Sequence, residues 1–341
     1  MKNLINDLDP NKKNKSLLTK VLGFIKNINK TEDESQILID IEKYHTKPIH
    51  IVKKQKIAIE KLFLEYIKTK SQEESFNVPT FPNIVLKLNE AVANPNSSFL
   101  IFSDIIKLDP SLTLKILKLA NSPLYKKNKD IVNLEDAVGL LGLKATKNLI
   151  LSVIMKGSLF KSGYSKRIAK KFFKDALLTA IIAENFAKLQ QLNESFLYTL
   201  ALLHNIGGIV ALNLADSFIK ENKIELSNDE LILRIIKKFQ LQLTKTILKN
   251  WGFKDLYIEA VISQETVKNE KENILSKIIY FSQTVSKSLL SGELKTLNRD
   301  GLTIFYEEVL KNAKLKIFSR TARIIMNESI KEFETVSKFI A

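Results

Sequence analysis

Cysteine is absent from the 341-residue chain. Disulfides are therefore excluded and no thiolate can ligate a metal, a composition compatible with a reducing cytoplasm. Histidine is nearly as scarce, at His45, His50 and His204. Glycine and proline number 10 and 7. Helical spacing dominates between these few breakers and strand-like alternation is rare, so the expected fold class is all-α. No stretch approaches the ~20 apolar residues that a membrane span needs, and Met1 to Asp7 has no apolar signal-peptide core. A cytoplasmic location without a membrane partner is expected. There is no internal repeat, no glycine-rich phosphate loop and no Gly-x-Ser-x-Gly nucleophile motif. Gly207-Gly208 lacks the strand context and spacing of a dinucleotide fingerprint.

What is present is apolar mass and positive charge. Hydrophobic residues make up 45% of the chain, enough for a substantial core, and 341 residues are long enough for one large or two modest domains. The formal net charge is +16, and no acid occurs from Ala137 to Lys174. That run, carrying Lys144, Lys147, Lys156 and Lys161, ends in Lys166, Arg167, Lys170, Lys171 and Lys174. As a surface it would attract nucleic acid, an acidic protein or a phosphorylated nucleotide. Against this, the chain is rich in Lys, Asn and Ile throughout, and lysine outnumbers the bidentate arginine that phosphate readers favour. No helix-turn-helix, RNA-recognition or zinc-finger signature accompanies the charge.

Three blocks follow from the hydrophobic pattern. Residues 1–72 form an N-terminal helical segment with a stripe at Leu17, Val21, Phe24 and Ile28 and a capping box at Thr31 and Glu34. Ile37 to Val52 is ambiguous, because Ile37, Ile39 and Ile41 alternate as a strand would; Ile59, Leu62, Phe63 and Tyr66 restore a helix. A middle unit covers 78–285. Residues 286–341 form C-terminal helices, with Phe318, Ala322, Ile325, Phe333, Val336 and Ile340 on one side, expected to pack on the core.

Two stretches of the middle unit carry more information than periodicity. His204-Asn205-Ile206-Gly207-Gly208 sits between apolar runs and reads as helix, tight turn, helix. Upstream, Val78-Pro79-Thr80-Phe81-Pro82 opens a succession through Asp109-Pro110-Ser111-Leu112-Thr113, Ala120-Asn121-Ser122 and Leu141-Gly142-Leu143. In this order the motifs resemble the HDOD domain, a branch of the HD phosphohydrolase superfamily. The HD superfamily's His-Asp pair, which binds divalent metal, resembles His204-Asn205, with a neutral amide where the family has a carboxylate. By the same resemblance Asp175 stands at the position of an earlier His, Gln283 at that of a later Asp, and Gln264 or Glu265 near auxiliary histidines. The vestigial site is then Asp175, His204, Asn205, Gln264 and Gln283.

Each motif residue also has a local role. Asp109 is a good N-cap with Pro110 at N1. Asn121 and Ser122 suit a helix end before Pro123. Asn133 with Asp136 reads as an N-cap followed by a first-turn acid, and Gly142 as a helix end with positive φ. Pro79, Pro82 and these residues are therefore mainly structural, and His204 reads as a buried, hydrogen-bonded imidazole. The resemblance implies an HD-like helical bundle with no metal or other cofactor. It also implies a non-catalytic bacterial signal-transduction protein that contacts an unidentified signalling partner, with a small signalling ligand as an option in the vestigial cleft. Two other readings stay open. One is an active metal-dependent phosphohydrolase using Asp175, His204 and atypical ligands. The other is a nucleic-acid or polyanion-binding module built on the basic run 144–174.

Overall fold

Helix ends in this chain are set largely by asparagine, aspartate and serine caps. Ser98, Asp109, Asn133, Asn193, Asn273 and Asn298 each accept a hydrogen bond from a backbone N–H in the first turn of the helix that follows, satisfying donors that the helix itself leaves open. The computed structural model describes residues 49–50, 62–63, 65–67, 69–70 and 82–340, the last apart from 95–97, 127–129, 160–165, 222–223, 226–229 and 264–272. Pro79, Lys161, Gln264, Glu265, Ile37 to Ile41 and the expected N-terminal stripe and capping box lie outside the described residues.

The helices are α1 (Asn83–Ala93), α2 (Phe99–Lys107), α3 (Pro110–Ala120), α4 (Leu134–Leu141), α5 (Leu143–Leu159), α6 (Lys166–Leu189), α7 (Glu194–Leu202) and α8 (Ile206–Glu221), then α9 (Glu230–Asn250), α10 (Asp255–Ile262), α11 (Ile274–Ser291), α12 (Arg299–Asn312) and α13 (Ser319–Ile340). The fold is all-α. Among the described residues its one extended pairing is a two-residue parallel contact of β1 (Ile49–His50) with β2 (Ile224–Glu225).

The bundle is organised around α6. Every residue from Ala176 to Ala187 is buried, the polar Thr179, Glu184 and Asn185 included, so this stretch is enclosed by neighbouring helices on all sides. Helices α7, α8, α11 and α13 all pack against it. The helical residues of 62–70 dock elsewhere, on α8: Phe63 stacks on Phe218 at 5.0 Å and Tyr66 OH donates to Glu221 Oε1 at 3.1 Å. The segment Phe196–Glu221 meets the length and hydropathy of a membrane span, contrary to the expectation that no stretch comes near, but it spans α7, a turn and α8, and 89% of its most apolar window is buried in this core.

At the C-terminal end, α11 runs unbroken through 285/286, the expected boundary. Helix α13 returns to pack on α6, burying Ala322, Ile325 and Val336. Phe318 does not belong to that stripe. It precedes the first residue of α13, its carbonyl accepts from Thr321 and Ala322, and its side chain is 83% exposed.

Local roles of the motif residues are specific. Asp109 Oδ1 accepts from Ser111 N and Leu112 N, with Pro110 at the first helical position. Pro82 precedes α1 as its cap residue. Asn121 does more than end α3: its amide donates to Leu117 O and Ile131 O and accepts from Ile131 N at 2.8 Å, locking the α3–α4 connection. Ser122 is buried beside it. Gly142 ends α4 at φ 81°.

Candidate functional site

Three helices and one turn build the site. Leu203-His204-Asn205 forms the turn joining α7 to α8, with Asn205 O accepting from Gly208 N and Ile209 N to start the new helix. Gly207 and Gly208 do not make this turn; they lie in the first turn of α8 with ordinary helical φ. Their role is closeness. A Cβ on Gly207 would sit 2.1 Å from Gln240 O and 2.4 Å from Thr244 N of α9, and one on Gly208 would sit 2.7 Å from the Phe172 ring. Thr244 Oγ1 accepts from Gly207 N at 3.0 Å across that contact.

The geometry around His204 follows from this close seating. The imidazole is fully buried; Nδ1 donates to Ala201 O at 2.7 Å and Nε2 lies 3.7 Å from Asp175 Oδ2 on α6. Asp175 Oδ1 accepts from Ser286 Oγ of α11 at 2.7 Å. Burial pushes the Asp175 carboxyl up. The neighbouring His204 imidazole, the Ser286 hydroxyl and Lys287 outweigh it and hold the carboxyl below its ordinary value, so it is ionised at neutral pH. Asn205 Nδ2 donates to Phe172 O at 3.2 Å. A carboxylate there would face that carbonyl with no proton to offer, so the amide suits the local backbone.

Asp175, Asn205 and Gln283 line one cleft of about 720 Å³, with His204 beneath it. Lys171, Lys174, Lys237 and Lys287 stand around it and Phe172, Leu233, Ile236 and Leu290 supply apolar wall. Of the proposed vestigial residues, Gln264 alone lies outside the described residues. Sequence reasoning missed Ser286 and Lys287, although they fall three and four residues after Gln283 and so share its helix face.

The donors do not fit an HD-type metal centre. They comprise one carboxylate already engaged by Ser286, one imidazole turned to that carboxylate, and two neutral amides, which are weak ligands for a divalent ion. Among the described residues no three His, Asp or Glu side chains converge on a point that could hold a metal. What the cleft offers chemically is a polar floor within a cationic rim.

The basic run does not stay together. Lys144 Nζ pairs with Glu194 Oε1 at 2.9 Å. Lys147 is buried, and desolvation lowers its ammonium pKa to about 8 although Glu184 pulls the other way. Lys166, Arg167, Lys170, Lys171 and Lys174 remain exposed along the start of α6, the last two reaching the cleft. A second polar cluster lies deeper. Asn148 Nδ2 donates to Glu184 Oε1 at 3.0 Å, Tyr198 OH and Ser152 Oγ share a 2.7 Å hydrogen bond, and Asn185 Nδ2 donates to Ser329 Oγ and Glu332 Oε2. Burial raises the Glu184 carboxyl to about 8.

The sequence profile of the HDOD domain matches residues 78–267, more than half of the chain. The chain belongs to the HDOD domain family. An uncharacterised protein of Treponema pallidum is 30% identical over 136 residues, or 39% of this chain; the match spans about a quarter, 26%, of that relative. The HDOD fold recurs in solved structures. A candidate metal-dependent phosphohydrolase of Shewanella amazonensis superposes with a TM-score of 0.60 at 20% identity, covering 83% of this chain and 99% of that one. An HDOD domain protein of unknown function from Geobacter sulfurreducens gives 0.55 at 19%, covering 83% and 99%. A candidate signal transduction protein of Marinobacter aquaeolei gives 0.53 at 17%, covering 98% and 66%. At these identities the likeness is one of fold.

Proposed function

We propose that this HDOD protein is a non-catalytic signal-transduction regulator that acts through contacts with a protein partner, with the cleft above Asp175 available to a small signalling ligand. The observation that carries the reading is the state of the former metal site. Asp175 is tied to Ser286 and faces His204, Asn205 is tied to Phe172 O, and Gln283 adds a second neutral amide to the same cleft. These bonds hold α6, the α7–α8 turn and α11 together and leave too few anionic ligands to activate a water on a metal. The candidate signal transduction protein of Marinobacter aquaeolei, alike in fold, supports the regulatory side of the reading. The described residues of 62–70 dock on the C-terminal end of α8 through Phe218 and Glu221, which makes that helix the candidate input route from the N-terminal segment.

The decisive experiment joins metal analysis of purified chain with hydrolysis assays on nucleotides and cyclic dinucleotides. No stoichiometric divalent ion and no turnover are expected after incubation with Mn, Fe or Zn salts. Near one tightly bound ion per chain, with turnover abolished by His204→Ala, would overturn the proposal in favour of an active phosphohydrolase.

A further inference from the structure

The chain has 53 lysine and arginine residues, of which five are arginine: Arg167, Arg234, Arg299, Arg320 and Arg323. Three of those five line a single pocket of about 400 Å³ between α12 and α13, together with Thr303, Tyr306 and Ser319. The pocket lies beyond the 78–267 match to the HDOD domain and shares no lining residue with the Asp175 cleft. Where lysine serves almost every other cationic position, planar guanidinium groups gathered at one concavity point to recognition by bidentate geometry rather than to compositional drift.

The helices explain the convergence. Arg299 opens α12, and Thr303 and Tyr306 follow at spacings that put all three on one face. Ser319 and Arg320 open α13, with Arg323 one turn on. Two helix N-termini, each with partial positive charge, therefore border the same space. Among the described residues no carboxylate forms an ion pair with Arg299, Arg320 or Arg323. Glu307 meets the lining only through Ser319 Oγ, at 3.2 Å. Tyr306 is buried, and desolvation raises its phenol while Arg323 acts the other way, so the hydroxyl is a protonated donor at neutral pH. A monocarboxylate would leave two guanidinium charges uncompensated. A phosphoryl group carries about two charges and a diphosphate more, with enough oxygens to take several N–H forks and the hydroxyls.

We propose that Arg299, Arg320 and Arg323 form a binding site for a phosphate- or diphosphate-bearing small molecule, seated between α12 and α13. The volume suits a small ligand rather than a nucleic-acid groove. This site is independent of the function assigned to the Asp175 cleft, although α13 packs on α6 and so links the two mechanically.

Titration calorimetry on the full chain at physiological salt, with inorganic orthophosphate, inorganic pyrophosphate and ATP, tests the proposal. Saturable pyrophosphate or ATP binding at one per chain is expected. Arg320→Gln and Arg323→Gln should each weaken it by about tenfold or more, as loss of a charge-assisted hydrogen bond implies, and Arg323→Lys should restore only part. Lys171→Gln and Lys174→Gln, in the other cleft, should leave it unchanged. ATP binding more tightly than pyrophosphate would identify a nucleotide as the source of the phosphate, and equal binding a bare diphosphate. Arg320 is exposed, so its substitution tests the site without disturbing the core. Binding of none of the three phosphate probes at millimolar concentration, binding indifferent to the arginine changes, or equal binding of succinate would overturn the proposal.

Discussion

Replacing Gly207 with alanine puts the close seating of α8 on α9 to a quantitative test. The added methyl would lie 2.1 Å from Gln240 O, 2.4 Å from Thr244 N and 2.7 Å from Thr244 Oγ1. Two of these are backbone atoms, so no rotamer change relieves the clash and the helices must part by roughly an ångström. Overpacking of this kind costs about 1–3 kcal/mol, and weakening the Gly207 N–Thr244 Oγ1 hydrogen bond adds about 1 kcal/mol. Alanine's better helix propensity returns at most about 1 kcal/mol. The net expectation is a loss of about 1–3 kcal/mol, or roughly 2–12 °C in Tm at about 2–4 °C per kcal/mol for a large domain. Gly157→Ala is the matched control, since that glycine is exposed near the end of α5 and its added methyl would meet nothing within 4 Å; it should stabilise by about 0.5–1 kcal/mol. Urea and thermal melts followed by circular dichroism read both. A Gly207→Ala protein within about 0.5 kcal/mol of the parent, below the smallest overpacking cost, would refute the argument that close helix approach is why glycine stands there.

Ile325→Ala combined with Phe333→Ala should destabilise the chain by several kcal/mol, because Ile325 is buried and Phe333 packs on the same core; a double variant that melts like the parent while a complex dissociates would reassign α13 as a partner surface. Glu184 governs a pH effect. Its folded pKa of about 8 stands above the ordinary 4.5, so the stability it contributes is full below about pH 4.5 and is lost as pH rises towards 8. Glu184→Gln should flatten the decline in denaturant midpoint across that window. An unchanged slope would show that Glu184, with Lys147, Lys188, Glu194 and Glu332 around it, does not carry this linkage.

The amino-acid sequence by itself determined the elements whose physics is local. Asp109 with Pro110, Asn133 with Asp136, and Gly142 set helix ends through bonds spanning two to four residues, so reading along the chain suffices to place them. The dominance of helical spacing likewise specified an all-α fold, and the order of its motifs specified the HDOD family. Tertiary structure decided everything that depends on distant segments meeting. Ser286 reaches Asp175 across 111 residues of chain. Gly207 and Gly208, which read as turn punctuation, prove to be contact surfaces for α9 and Phe172. Lys144 and Lys147 belong to one basic run, yet one is paired at the surface and the other is buried beside Glu184. Phe318 falls in register with the stripe of α13 but lies outside the helix and faces solvent. The arginines of α12 and α13 share a pocket because the connection between the helices returns α13 to α12's side. Local hydrogen bonds and periodicity are encoded in neighbouring residues; burial, ion pairing and convergence arise only when packing selects which faces meet.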